Sequence, residues 1–258
     1  MRMKFLVCLA CAALGVASAD DDDRGNNRSA CRELPSQSAL RSALRTARSQ
    51  SNGGFNHEMW ATVVNRDGVV CAVAFTGSNR GDQWPGSRVI SAQKAYTANA
   101  FSLPGQALST ANLYSAVQPG GTLYGLQHSN PVDTTQAYRG DTDNFGQAND
   151  PMVGNLVGGV NVFGGGLALY NSSRQLIGAI GVSGDTSCAD HNIAWRTRST
   201  LGLDFVPTGV SGQIGRPDNI VYDILTTSSG QSVSASGWGH PACSVTATAV
   251  SQTLPVTH

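Results

Sequence analysis

Apolar positions gather in two short runs in the second half of the chain. Leu167, Ala168, Leu169 and Tyr170 form the first, and Leu176, Ile177, Ala179, Ile180 and Val182 form the second. Asn171, Ser172, Ser173 and Arg174 separate them with turn formers. Short apolar runs bounded by turn signals predict two largely buried strands of one hairpin. Gly181 and Gly184 then allow a change of direction, and Asp185 or Thr186 is placed to cap a helix running through Arg198. A glycine corner that feeds a helix N-terminus suits an anion.

The same reading extends upstream. Leu40, Leu44 and Ala47 recur on one face of residues 36–50, which predicts an amphipathic helix stopped by Asn52, Gly53 and Gly54. Residues 60–64 and 69–75 are apolar runs around Asn65, Arg66, Asp67 and Gly68. Asp-Gly between two such runs predicts a tight hairpin with φ > 0 at both central positions. Residues 80–86 read as a polar loop around Trp84, and residues 87–101 as a second helix whose Ala92, Ala95 and Ala98 suit close packing. Residues 108–117 predict a third, short helix. Residues 120–155 read as a long insertion, extended at 123–126, and Tyr124, Tyr138 and Phe145 argue that it is ordered. Downstream, residues 219–225 predict an edge strand, residues 228–236 a flexible polar run, and the last residues a frayed end.

The N-terminus changes the picture of where the protein works. Arg2 and Lys4 precede an apolar stretch, and Ala17, Ser18 and Ala19 form a small-residue cleavage site. Residues 1–19 therefore read as a signal peptide, too short to span a membrane. Cleavage near Ala19 predicts an exported protein, periplasmic or extracellular, with no membrane span. Removal of that segment leaves 15 Lys and Arg against 17 Asp and Glu, and no basic stripe for nucleic acid. Residues 20–35 begin with an acidic run and read as a flexible start. Residues 36–207 form the expected domain, with its insertion at 120–155. Residues 208–258 form a C-terminal extension.

Cys31, Cys71, Cys188 and Cys243 remain after cleavage. In an exported chain four cysteines point to disulfides with three open connectivities. The pairing Cys188–Cys243 with Cys31–Cys71 is the expectation, because each bond would staple a terminal extension to the core.

Several motifs fail on inspection. Asp185 stands where a nucleophile elbow needs glycine. Gly164, Gly165 and Gly166 precede a strand, which excludes a dinucleotide loop. Residues 141–146 resemble half a calcium loop, but Phe145 replaces a ligand. The informative set is His191, Trp195 and Arg198, spaced i, i+4, i+7 on one helical face. An imidazole, a flat ring and a guanidinium on one stripe are a haem-like set. The plain alternative makes Trp195 core, Arg198 solvent-facing and His191 a satisfied polar residue. His240 and His128 are further ligand candidates. Lys94, the one lysine left beside fourteen arginines, reads as a surface charge ahead of a Schiff-base lysine.

Residues 91–101, with Lys94, Ala95, Thr97, Ala98 and Phe101, and residues 176–184, Leu-Ile-Gly-Ala-Ile-Gly-Val-Ser-Gly, together with Asp190, resemble the GlcG/HbpS family. The resemblance covers about residues 60–203. It implies an α+β, profilin-like fold of α/β/α layers with a five-stranded antiparallel sheet, often assembled into homo-oligomers. It also implies haem or a related tetrapyrrole as cofactor. The leading expectation is an exported haem-binding carrier or sensor rather than an enzyme, with His191 as iron ligand ahead of His240 and His128, and Arg198, Arg196 or Lys94 at the propionates. A small organic-acid binder or enzyme of the glycolate-utilisation type, and an interaction module without ligand, are the alternatives.

Overall fold

The computed structural model describes residues 30–258, so the expected signal peptide and most of the acidic start lie outside the described residues. Helix α1, Gln37–Arg48, begins where Ser36 accepts a hydrogen bond from the Ala39 amide at 3.2 Å, and it buries Leu40, Ala43, Leu44 and Ala47. Strands β1, Trp60–Asn65, and β2, Val70–Phe75, follow as an antiparallel hairpin. Only Gly68 takes a positive φ in its turn, not both central residues. The Gly68 amide donates to the Asn65 carbonyl, and the Asn65 side chain accepts from the Asp67 and Val69 amides. A type I turn closed by a left-handed glycine makes the connection, and a separate bulge at Cys71 of β2 shifts the register between Val63 and Val64.

Helix α2, Ser87–Phe101, occupies the predicted span. The expected third helix is instead two 3-10 turns, Thr110–Leu113 and Ser115–Val117. The insertion is ordered. It carries the short helices α3, Leu126–Ser129, and α4, Thr134–Ala137, and residues 123–126 turn rather than extend. Buried Arg88 of α2 holds it: the guanidinium pairs with Asp150, donates to the Ala137 carbonyl at 2.8 Å and lies 3.6 Å over the Phe145 ring.

Strands β3, Gly166–Tyr170, and β4, Leu176–Ser183, form the second hairpin. The main sheet runs β2-β1-β4-β3, antiparallel throughout. It has four strands, not five. The segment after the last core helix touches the outer edge of β3 only through a single Tyr170–Asp204 bridge. Pro207, Gly209, Gly212, Gly215 and Pro217 then deny it a continuing ladder. Strand β3 is accordingly an edge, and β4 and β1 are the central strands.

Helix α5, Ser187–Thr200, starts at the Thr186 cap. It packs beside α1 on one face of the sheet, and α2 covers the other. Ala61, Val63, Leu167, Leu169, Ile180 and Val182 point to the first face, and Trp60, Val64, Val73 and Ala179 to the second. These are the α/β/α layers. Gly181 sets the spacing on the α2 side: a Cβ there would collide with the Ser91 carbonyl and lie 2.5 Å from the Ala95 amide nitrogen.

The C-terminal extension is docked rather than frayed. The expected edge strand is strand β5, Ile224–Thr226, paired with β6, Ser232–Ser234, in a separate small hairpin. Helix α6, Val245–Gln252, lies against α5. Trp195 Nε1 donates to the Pro255 carbonyl at 2.9 Å, and His258 pairs with Asp204 at 2.8 Å. Both expected disulfides, Cys31–Cys71 and Cys188–Cys243, are formed.

Candidate functional site: a buried polar seam between two helices and the tail

The glycine corner is filled by its own acids. Asp185 accepts from the amides of Phe55 at 2.9 Å, His57 at 3.1 Å and Thr186 at 2.6 Å. The Asp185 amide donates to Asp190 at 2.8 Å. Two carboxylates therefore take the donors that an incoming anion would need, and the corner is not an open anion site.

Lys94 is not a surface charge. It is 2% exposed and crosses from α2 to the first turn of α5. Its Nζ donates to Asp190 at 2.7 Å and to the Val182 carbonyl at 3.1 Å. Gly165, at φ +120°, lets the ammonium pass: a Cβ there would lie 3.1 Å from Nζ. Burial raises the Asp190 carboxyl to about 6, outweighing the opposing attraction of Lys94.

His191 is fully buried one turn into α5. Its Nε2 lies 3.2 Å from Asn219 Oδ1 and 3.2 Å from the Ile220 amide, and its Nδ1 has no partner. Burial lowers its pKa to about 3. The Ile220 amide has its shorter hydrogen bond, 2.9 Å, to Asn219 Oδ1. In the tautomer whose Nε2–H donates to that same oxygen, Nδ1 is a bare lone pair.

His240 is almost as buried. Its Nδ1 donates to the Pro241 carbonyl at 2.8 Å, which leaves Nε2 as an unpartnered lone pair. Its ring centroid is 5.0 Å from that of Tyr114. Burial lowers its pKa to about 4, and the Lys94 charge acts in the same direction. A ring N–H fixed on a carbonyl, with the other nitrogen free, is how proteins orient a metal-binding histidine. His240 lies three residues before Cys243, whose disulfide to Cys188 in the first turn of α5 brings it to the same end of that helix as His191.

Trp195 and Arg198 continue the same face of α5. Arg198 is buried, not solvent-facing. It grips Asp218 through two bonds of 2.5 and 2.9 Å, donates to the Ala168 carbonyl at 3.1 Å, and sits 4.6 Å over the Trp195 ring. Arg196 points elsewhere, to the Ser51 carbonyl at 2.7 Å and Asn52 Oδ1 at 2.5 Å. His128 is exposed in the insertion and makes no contact with the seam. The structure therefore brings together Lys94, His191, Trp195, Arg198 and His240, and leaves Arg196 and His128 outside. Asp218 and Asn219, which complete the seam, were not singled out in the sequence. Both lie in a glycine- and proline-rich stretch with no periodic signal.

Two cavities are well formed, and neither is lined by His191, Trp195, Arg198 or His240. One of about 460 Å³ opens beside Arg48, Asn52, His57 and Asp185. The other, about 440 Å³, lies between α2 and the insertion. Among the described residues no cluster of three or more His, Cys, Asp or Glu side chains is disposed to hold a metal ion. No described helix is long and apolar enough to cross a membrane.

A four-stranded antiparallel sheet between α2 and the α1–α5 pair, with buried polar side chains between α2, α5 and the tail, defines an α+β layered protein. Residues 36–198 match the family model of haem-degrading, HbpS-like proteins, and the chain belongs to that family. Similar solved structures include Klebsiella pneumoniae protein ORFY, assigned to family model DUF336. It is 25% identical over 65% of this chain and 90% of that one, at a TM-score of 0.43. A PduOC:haem complex is 23% identical over 63% and 89%, at 0.44. A double mutant of Streptomyces reticuli HbpS is 17% identical over 65% and 87%, at 0.41. No curated protein matches the chain.

Proposed function

We propose that this is an exported haem-binding protein, a carrier or sensor for haem or a related tetrapyrrole. The observation that carries the reading is the family match over residues 36–198. The seam fits the chemistry. His191 Nδ1 and His240 Nε2 are buried nitrogens without partners, on imidazoles held neutral by burial. Neutral imidazole is the form that ligates iron. Bound haem would supply a redox-active iron and two carboxylates. Trp195 offers a flat surface beside His191, with ring centroids 6.1 Å apart. Lys94 and Arg198 already neutralise Asp190 and Asp218, and Arg196 is engaged by Ser51 and Asn52, so a propionate would have to compete for a cation that is already paired or bonded.

His191 lies under the C-terminal extension, which contributes Asn219, Ile220 and the buried His240 itself. Iron reaches His191 only if that cover lifts. The two disulfides and the signal-like N-terminus support an oxidising destination.

The test is titration of the purified protein with haemin, read by the Soret band, in wild type and in His191→Ala, His240→Ala and His128→Ala. Loss of the band shift in His191→Ala or His240→Ala supports the reading. Unchanged affinity in all three variants and in their combination removes the histidine ligand assignment. No spectral change in wild type removes haem itself.

A further inference from the structure

We propose that the apolar cavity between α2, β1 and the insertion binds a flat aromatic monocarboxylate, at a site separate from the histidine seam. The cavity measures about 440 Å³, and Trp60, Val89, Tyr138, Phe145, Gly86 and Arg80 line it. That volume falls in the range of small-molecule sites, and mostly apolar walls with a few placed polar groups are their usual make-up.

Two features point to the ligand. The aromatic walls are fixed before any ligand arrives. Phe145 is clamped under the Arg88 guanidinium at 3.6 Å, and Trp60 packs edge-on against Phe75 at 5.2 Å between centroids. Rigid aromatic walls favour a flat ring, since little side-chain freedom is left to lose on binding. Arg88 itself is saturated by Asp150 and the Ala137 carbonyl. Arg80, at the rim, is the free-standing cation: its one ion pair, 2.9 Å to Asp143, is exposed on both sides. A guanidinium has donors to spare for a second carboxylate, which selects an acid over its ester.

Calorimetric titration of the full chain with naphthalene-2-carboxylate, its methyl ester and 2-naphthylamine tests the proposal. Saturable binding of the acid is expected, tighter than either analogue. Arg80→Gln should weaken the acid by about tenfold and leave the ester unchanged, as loss of a charge-assisted bond requires. Gly86→Phe should abolish binding. Gly86 has φ −62°, and a Cβ there meets nothing within 4 Å, so the ring enters open space. Gly81→Leu, whose Cβ would lie 3.6 Å from its nearest neighbour, is a second filler if Gly86→Phe melts early. Equal binding of acid and ester, or full binding in a folded filler variant, overturns the site. Haemin that displaces the naphthoate also overturns it, by making the cavity part of the haem site. A naphthoate complex that still gives the wild-type haemin titration supports two separate sites, and it does so whether or not His191 or His240 ligates iron.

Discussion

Arg198 and Asp218 face each other through two hydrogen bonds of 2.5 and 2.9 Å, with neither side chain exposed. Arg198 is the last residue of the family match, and Asp218 belongs to the extension beyond it. The pair is therefore the bolt between the matched region and the segment that follows it. Asp218→Ala strands a buried guanidinium and should cost about 3–5 kcal/mol in urea unfolding. The double variant Arg198→Met with Asp218→Leu should recover most of that loss, because desolvation of the ion pair is removed together with its attraction. A double variant as unstable as the single one would show that the pair does more than balance its own charges.

The Cys188–Cys243 disulfide fastens the same segment at the other end of the seam. Cys243→Ser should lower stability by about 2–5 kcal/mol. It should also raise amide exchange in residues 244–258 before it affects the sheet. Under the haem-binding reading, the same variant should take up haemin faster than the oxidised wild type, since His191 lies beneath this cover. Uptake rates that do not change on reduction would count against a cover that must lift.

Stability should fall as the pH drops from about 6.5 to about 4. His191 and His240 are held neutral to about 3 and about 4, whereas in the unfolded chain both titrate near 6.5. Across that interval the unfolded state binds two more protons, which favours unfolding in acid. Asp190 opposes this: raised to about 6, it keeps a proton in the folded state that the unfolded state has released above about 4. Two against one leaves a net uptake of about one proton on unfolding near pH 5, a slope of about 1.4 kcal/mol per pH unit. His240→Gln should make the profile nearly flat there. A slope identical to wild type would mean that His240 is not held neutral.

Gly181→Ala should destabilise the fold by several kcal/mol, of the order seen when a core is overpacked. The added methyl meets backbone atoms of α2 at Ser91 and Ala95, which cannot rotate aside as a side chain could. Thermal melting of Gly181→Ala beside Ala179→Gly, a deletion in the same strand, separates a steric clash from loss of strand propensity. The clash predicts the larger fall for Gly181→Ala.

Local chemistry wrote much of the fold into the sequence. The Asn65–Gly68 turn, the Thr186 cap and the apolar runs of β1, β3 and β4 are decided by residues a few positions apart. They were legible without coordinates, as were the family motifs around Lys94 and Gly181; the four cysteines left three connectivities open, of which the expected one is formed. The i, i+4, i+7 stripe of His191, Trp195 and Arg198 was also legible, because helical spacing alone puts those side chains on one face.

What covers that stripe was not legible. Whether Lys94 reached solvent or Asp190 depended on Gly165 and Gly181 each leaving room for its side chain, although both are far from it in the chain. Arg198 found Asp218, and His191 found Asn219, in a stretch with no hydrophobic period to place it. The missing fifth strand was decided in the same region, where glycines and prolines interrupt the ladder. The sequence by itself determined the family, most of the strands and helices, and which histidine, lysine and arginine side chains were candidates for a site. Only the tertiary structure decided which charges are paired and which imidazole nitrogens stay bare. Burial and ion pairing depend on what the rest of the chain brings to the site, and no local pattern records that.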